Sequence, residues 1–348
     1  MGISAGKSII GLDIEPGYVA AVETSSGGVA VERAAHAQLA PGVVRDGEVV
    51  DVDTLAEVLR ALFAEHKLGH RVRLGVANQR IVMRMLDLPP LRDAKEISSA
   101  VRFQAQDHIP MPLEQAVLEH QSLGIVETPD GPRTRVVLVA ARRDMIDGLL
   151  AATRNAGLRP EGIDLSAFAM IRALYRPGGE GATLYVSVGG MTNLAVAVGT
   201  TCVFTRVVAH GTEAMAGELA ERRGLTLEHA RGWLNHVGTL SPTDDIDGDD
   251  EIVVEARAVL GEGIRRISDE VRNSLDFYRV QPGAAHVSNA ILTGPAVSIP
   301  GFSDQLGEEI QLPLESGVAT EARPGALGGI DAGSLAVAAG LAIEDLSS

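Results

Sequence analysis

A mixed α/β fold of two or three compact units is what this 348-residue sequence predicts, and three observations carry that expectation. Strand-sized apolar runs alternate with helix-period segments along the chain. A strand-turn-strand meander at 9–39 recurs at 183–209, an internal duplication. One long amphipathic helix, over 253–280, is bounded by an acidic segment and by Pro282-Gly283.

The elements follow in order. Residues 9–14 (IIGLDI) form a buried-type strand, Pro16-Gly17 a turn, and 18–24 a second strand. The Ser25-Ser26-Gly27-Gly28 cluster signals a hairpin into a third strand at 29–39. Leu55, Val58, Leu59, Leu62 and Phe63 keep helical spacing over 51–69, with Gly69 as the stop. Strands at 71–77 and 81–88 lead to Pro89-Pro90. Asp93 and Glu96 then open a helix to about Asp107, which 109–112 (IPMP) ends because proline cannot continue the hydrogen-bond ladder. Two strands (116–126, 134–141), a helix (144–156), a strand (159–165) and a helix (166–174) follow, so 83–165 reads as a compact α/β insert.

After a glycine-rich linker (176–182) the meander restarts, and helices at 212–223 and 226–236 come next. The segment 241–251 carries six acids in its last eight positions. Calcium-loop spacing fails there: counted from Asp245, the glycine position is Asp250 and the twelfth is Ala256, so a solvated acidic loop is expected. A strand at 286–294 and helices at 298–306 and 331–346 close the chain.

Composition removes several function classes. The balance of 30 basic against 46 acidic side chains, −16 in all, argues against a nucleic-acid partner, which needs a basic face. The single cysteine, Cys202, excludes a disulfide framework and fits a reducing compartment. Apolar runs are too short to cross a bilayer, and MGISAGKSIIGLDIE lacks a secretory pattern, so a cytoplasmic protein without direct membrane insertion is expected. Walker A and His-Glu-x-x-His motifs do not occur, and His66 and His70 have no third ligand nearby, so neither a catalytic constellation nor a metal centre is expected.

The duplicated meander, the glycine-rich turns after strands and the late strand-glycine-helix element together resemble the actin-like ATPase superfamily. Within it, 96–123 (running into Ile109-Pro110-Met111-Pro112), 137–174, 271–279 (VRNSLDFYR) and 334–343 (SLAVAAGLAI) resemble the PilM family of type IV pilus assembly platforms. Its relative FtsA usually ends in a membrane-binding amphipathic helix, and the acidic end of this sequence does not match one.

That resemblance implies a two-lobed actin-like (ribonuclease H-like) fold with an inserted 1C (SHS2) subdomain. The implied divisions are 1–82 as the first lobe, 83–165 as the insert and 166–180 as a return to the first lobe. In the second lobe, 181–211 with 285–330 form one half and 212–284 the other, and 331–348 pack back on the first lobe. It also implies an interlobe nucleotide site holding ATP and magnesium, formed here by Asp13, Gly17, Gly189, Gly190, Thr192, Asn193 and Gly294. Each contributing stretch departs from the family pattern. Glu15 stands for a glycine, Ala20 for a lysine and Ser187 for an aspartate, while Pro295 deletes an N–H donor. A carboxylate about 4 Å from a phosphate charge costs about 1 kcal/mol in water and about 4 kcal/mol at an effective dielectric near 20. Gly189 and Gly190 serve a tight hairpin as well as they serve a phosphate.

The expectation is therefore a catalytically silent or weakly nucleotide-binding scaffold, with an active ATPase that switches or polymerises as the alternative. By the same resemblance its partner is the cytoplasmic N-terminal peptide of a PilN-like membrane protein, captured between the first lobe and the insert around Phe103, Gln104, Ile109 and Pro110. Ordinary packing is the competing role for Phe103 and Ile109. Pilus assembly ATPases and further copies of the chain are the other implied partners, and the cytoplasmic face of the inner membrane the implied location.

Overall fold

The computed structural model describes residues 8–25, 30–179 and 181–343. Most of the Ser25–Gly28 turn, the start of the sequence and the end of the expected 331–346 helix lie outside them.

Two sheets of one topology organise the chain. In the first lobe, β1 (Ile10–Glu15), β2 (Tyr18–Thr24) and β3 (Ala30–Gln38) form an antiparallel meander. β6 (Arg71–Val76) and β10 (Arg159–Leu165) extend it in parallel beyond β1. In the second, β11 (Ala182–Val188), β12 (Thr192–Val198) and β13 (Thr201–Val208) repeat the meander. β14 (Val287–Thr293) and β15 (Leu314–Ser316) repeat the parallel extension. The orders β3-β2-β1-β6-β10 and β13-β12-β11-β14-β15 are the same, so the duplication seen in sequence is one of topology. A two-residue strand, β16 (Thr320–Glu321), crosses back from the second lobe to pair with β3.

Each sheet buries one face under its own helices. Ile10, Leu12, Val72 and Leu74 pack under α1 (Val52–Glu65) and α3 (Arg143–Asn155). Leu184, Val186, Leu194 and Val196 pack under α5 (Thr212–Arg223), α6 (Leu227–Val237) and α7 (Asp250–Arg279). Between the sheets lie α4 (Ser166–Leu174) and α9 (Ala336–Ala342), which meet at Gly340: a Cβ there would stand 1.8 Å from the Ala169 carbonyl oxygen. Gly11 of β1 meets α9 as closely, at 1.9 Å from Ala338 O, so neither position admits a side chain.

The insert is smaller than 83–165. Its own sheet holds β7 (Val82–Leu88), β9 (Gly131–Arg142) and β8 (Ala116–Thr128) in that order, with α2 (Ala94–His108) on one face. By contrast α3 joins the α1 layer and β10 pairs with β6, because their apolar faces match the first lobe's core. A short hairpin unread in the sequence, β4 (Val44–Arg45) and β5 (Glu48–Val49), turns at Asp46-Gly47, both at positive φ.

Helix ends also moved. α7 starts at Asp250 because Asp249 caps it, accepting from Glu251 N and Ile252 N; three of the acids expected in a solvated loop thus sit at a helix N-terminus, where the backbone dipole favours negative charge. The helix expected at 298–306 is α8 (Phe302–Ile310), displaced past Pro300 and a left-handed Gly301.

Candidate functional site

The two meander turns meet across the interlobe cleft. β1 and β2 are joined by Pro16-Gly17, and β11 and β12 by Gly189, Gly190 and Met191. A Cβ on Gly190 would stand 2.1 Å from the Pro16 carbonyl oxygen, and one on Gly189 would stand 2.6 Å from Glu15 Oε2. These glycines are required by lobe-to-lobe contact. Gly17 sits at φ +92°, a conformation that side chains strain, and Glu213 of α5 packs over it: a Cβ there would stand 2.3 Å from the Glu213 carboxyl carbon.

At the centre is Glu15, 3% exposed. Its Oε2 accepts from Gly190 N at 2.8 Å and lies 3.5 Å from Met191 N, and the Tyr18 phenol is hydrogen-bonded to the same carboxylate. Burial pushes the Glu15 carboxyl up to about 7, opposed by the two backbone donors and Tyr18 and reinforced by the Glu213 charge. Two residues back, Asp13 is 2% exposed and its Oδ2 has no hydrogen-bond partner. Burial first, and the Glu15 charge second, raise Asp13 well above the carboxylate range. Burial also raises Tyr18, whose ring stacks on His36 with centroids 5.3 Å apart.

Around this acid cluster, the second lobe's polar groups are engaged. Thr212 donates from both N and Oγ1 to Gly189 O (2.8 and 3.0 Å), and the Thr192 hydroxyl donates to His210 O at 2.5 Å. Arg231 of α6 makes a two-pronged ion pair with Glu213, at 2.7 and 2.6 Å. Gly294, at φ +89°, has its N–H on Gly333 O and is followed by Pro295, so neither of these two residues offers a spare donor. A cavity of about 450 Å³ remains, walled by Tyr18, His36, Arg231, Pro295, Asp331 and Ser334.

Of the residues expected to form one site, Asp13, Gly17, Gly189 and Gly190 converge, and Thr192 and Gly294 border them. Asn193 does not join them; it faces a separate chamber that shares no wall with the 450 Å³ cavity. Ser187 and Ala20 are buried strand residues. Glu213 and Arg231 had no local signal, since partners on different helices leave no spacing to read. Tyr18 and Asp331 did: Tyr18 stands opposite Glu15 across the Pro16-Gly17 turn, and Asp331 binds Gly333 N and the Ser334 hydroxyl in a capping pattern the sequence contains.

The residues assigned to a partner separate as well. Ile109 packs in the insert's own core beneath α2, with Ile97 and Val101. Phe103 is 71% exposed, Pro110 exposed and Gln104 half-buried. Yet α2 covers the face of the insert sheet that carries Leu86, Val136 and Leu138, whereas Met83, Val139 and Ala141 on the other face meet the lobes. Strand alternation puts α2 on the far side, so Phe103 does not line the junction with the first lobe. That junction is built by Val76, Ile81, Val117, Ala141, Met145 and Ile163.

Among the described residues, no helix is long and apolar enough to cross a membrane, and no group of three or more His, Cys, Asp or Glu could hold a metal ion. The arrangement of two like-ordered sheets around a cleft is found in EutJ from Carboxydothermus hydrogenoformans (16% identity, 97% of this chain and 90% of that one, TM-score 0.56). It is also found in MreB5 of Spiroplasma citri bound to ADP (14% identity, 96% and 94%, TM-score 0.54). These likenesses establish an actin-like fold. A structure described as the PilM-PilN type IV pilus biogenesis complex matches at TM-score 0.77 and 25% identity, over 96% of this chain and 97% of that one. The family model for the type IV pilus assembly protein PilM matches residues 11–346, so the chain belongs to the PilM family.

Proposed function

We propose that this chain is a non-catalytic or weakly nucleotide-binding scaffold of type IV pilus assembly. It holds the cytoplasmic N-terminal peptide of a PilN-like membrane protein at the inner-membrane face. The partner half of this reading rests on family membership and on the likeness to a PilM-PilN complex. The silent half rests on one observation: the Glu15 carboxylate accepts the Gly190 N–H that a phosphate would need. An internal carboxyl oxygen thus fills a backbone cradle of the kind that binds phosphates.

ATP and magnesium do not suit the residues present. A triphosphate would have to displace Glu15 and would then meet the charges of Glu15 and Glu213 in a poorly solvated cleft. Ser187 brings no carboxylate for magnesium, and Asp13 is held toward its neutral form. A second reading, a nucleotide-driven switch, draws on the 450 Å³ cavity and the unpartnered Asp13 oxygen, and it requires Glu15 to leave its donors.

Calorimetric titration of the full chain with Mg-ATP and, separately, with a synthetic N-terminal peptide of the PilN-like protein tests both halves. The expected result is peptide binding without measurable nucleotide heat. Micromolar Mg-ATP affinity with turnover would overturn the silent scaffold, and absence of peptide binding would overturn the assigned partner.

A further inference from the structure

Charge is unevenly spread over this chain. At the end of the first sheet opposite the cleft, where β1, β6 and β10 begin, lies a groove of about 650 Å³. Arg33, Lys67, His70, Arg71 and Arg159 line it, with Glu23 as the one carboxylate in its wall. Four cations against one acid reverse the balance of a chain that carries −16 overall. Two turns shape the groove: Lys67, at φ +52°, follows α1, and Gly157, at φ +81°, follows α3. Arg159 N donates to His70 O at 2.7 Å and ties them together. Arg33 is paired with Glu23, and Arg71 with Glu161. Lys67 and Arg159 are exposed, and their side chains make no hydrogen bond or ion pair among the described residues.

The opposite pattern stands on the second lobe. Asp244, Asp245 and Asp247, between α6 and α7, are exposed and equally without partners among the described residues. Their loop is nonetheless fixed. Ile246 packs against the second-lobe core, and Asp247 O accepts from His236 Nε2 at 2.8 Å. Gly248 lies against the Trp233 ring, where a Cβ would stand 2.4 Å away. Three carboxylates are thus held out on an ordered backbone, so docking them costs little ordering entropy. Asp249 and Glu251 are already engaged, as the cap of α7 and on Arg223. The groove is walled by first-lobe residues alone, and the loop, anchored to α6 and the second-lobe core, is no part of it. The two can meet only between copies.

We propose that this groove is a docking site for the 244–247 loop of a second copy of the chain, with Lys67 and Arg159 meeting Asp244, Asp245 and Asp247. A flat anionic membrane would touch only the rim of a groove, whereas a protruding acidic loop fills it. Complementary charge orients two molecules whose net charges repel, and it supplies specificity and encounter rate more than affinity. Exposed ion pairs are individually weak, so the association is a reversible one. Two different patches meet, so the contact closes reciprocally into a dimer or continues head to tail. It goes beyond the scaffold reading and does not depend on peptide capture.

Sedimentation velocity of the full chain over a concentration series tests it. At about 0.1 M salt the Debye length of about 10 Å screens repulsion between whole copies and leaves touching charges coupled. Wild type should self-associate reversibly. Asp244→Lys combined with Asp245→Lys and Asp247→Lys should weaken association about tenfold, although a net charge nearer zero would by itself promote it. Lys67→Glu with Arg159→Glu should weaken it similarly. The chain carrying all five changes should recover most of the loss, because the signs are then exchanged across the contact. A wild type that stays monomeric, a loop variant that associates as wild type does, or a five-change chain as weak as either parent overturns the inference. So does a groove variant that loses only co-sedimentation with phosphatidylglycerol vesicles, which would assign the groove to a lipid surface. If the lysine variant does not fold, the near-isosteric Asp244→Asn, Asp245→Asn and Asp247→Asn must weaken association in the same direction, and unchanged association overturns the inference equally. Each of these outcomes leaves the scaffold reading where the peptide titration puts it.

Discussion

Glu15→Gln removes one charge at the centre of the cleft and keeps the shape and an acceptor oxygen for Gly190 N. The buried Glu15 carboxyl is raised to about 7 from an ordinary 4.5, at about 1.4 kcal/mol for each tenfold change in affinity for the proton. The gap corresponds to about 3 kcal/mol. Because the folded value is the higher one, this stabilisation is complete below about pH 4.5 and is lost as pH rises through 7. Wild type should therefore fall in stability relative to Glu15→Gln as pH goes from 5 to 8. Taken at about 2.1 cal/mol/K per residue for the entropy of unfolding, about 3 kcal/mol corresponds to roughly 4 °C in melting temperature for a chain of this length. Asp13 responds in the same direction: without the Glu15 charge it ionises more readily, so part of the pH dependence passes to it. Differential scanning calorimetry of both proteins at pH 5, 6, 7 and 8 measures the difference. Parallel curves, or a wild type that gains on the variant as pH rises, would refute a proton-holding Glu15 between the lobes.

Gly190→Ala should destabilise by about 3 kcal/mol or more, because its Cβ would stand 2.1 Å from a backbone oxygen of the opposite lobe. Gly232→Ala, within α6 where a Cβ meets nothing within 4 Å, should instead stabilise by about 1 kcal/mol; thermal melts of the pair test whether the cleft is as tightly closed as described. Arg231→Gln leaves Glu213 without its partner beside Glu15, and urea unfolding should show a loss of about 2–3 kcal/mol. Replacing Glu213 by Gln as well should restore part of that, and an equal loss in single and double variants would show that the pair matters only for packing.

Legibility from sequence followed the range of the interaction that decides each feature. Strands such as 9–14 and 18–24, the α1 stripe of Leu55, Leu59, Leu62 and Phe63, and the repeated meander were legible because periodicity and turn chemistry act over a few residues. The departures at Glu15, Ser187 and Pro295 were legible too, since each is an identity at a motif position. What Glu15 does was not: its donors are 175 and 176 residues away, supplied when two turns close on each other. Packing rather than local spacing also sets the Arg231–Glu213 pair, 18 residues apart on different helices, and the separation of Asn193 from its motif neighbours. It also hid the insert's true edge at Arg142, set by which core α3 and β10 could bury their apolar faces against.

By itself, then, the sequence determined a duplicated α/β chain whose nucleotide motifs depart from pattern at named residues. Only tertiary structure decided that the departing carboxylate sits in the cradle, buried enough to hold its proton to about pH 7. The physical reason is that residue identity sets what a group can donate, accept or charge. Its solvation and its partners are set by chain segments that meet only on folding.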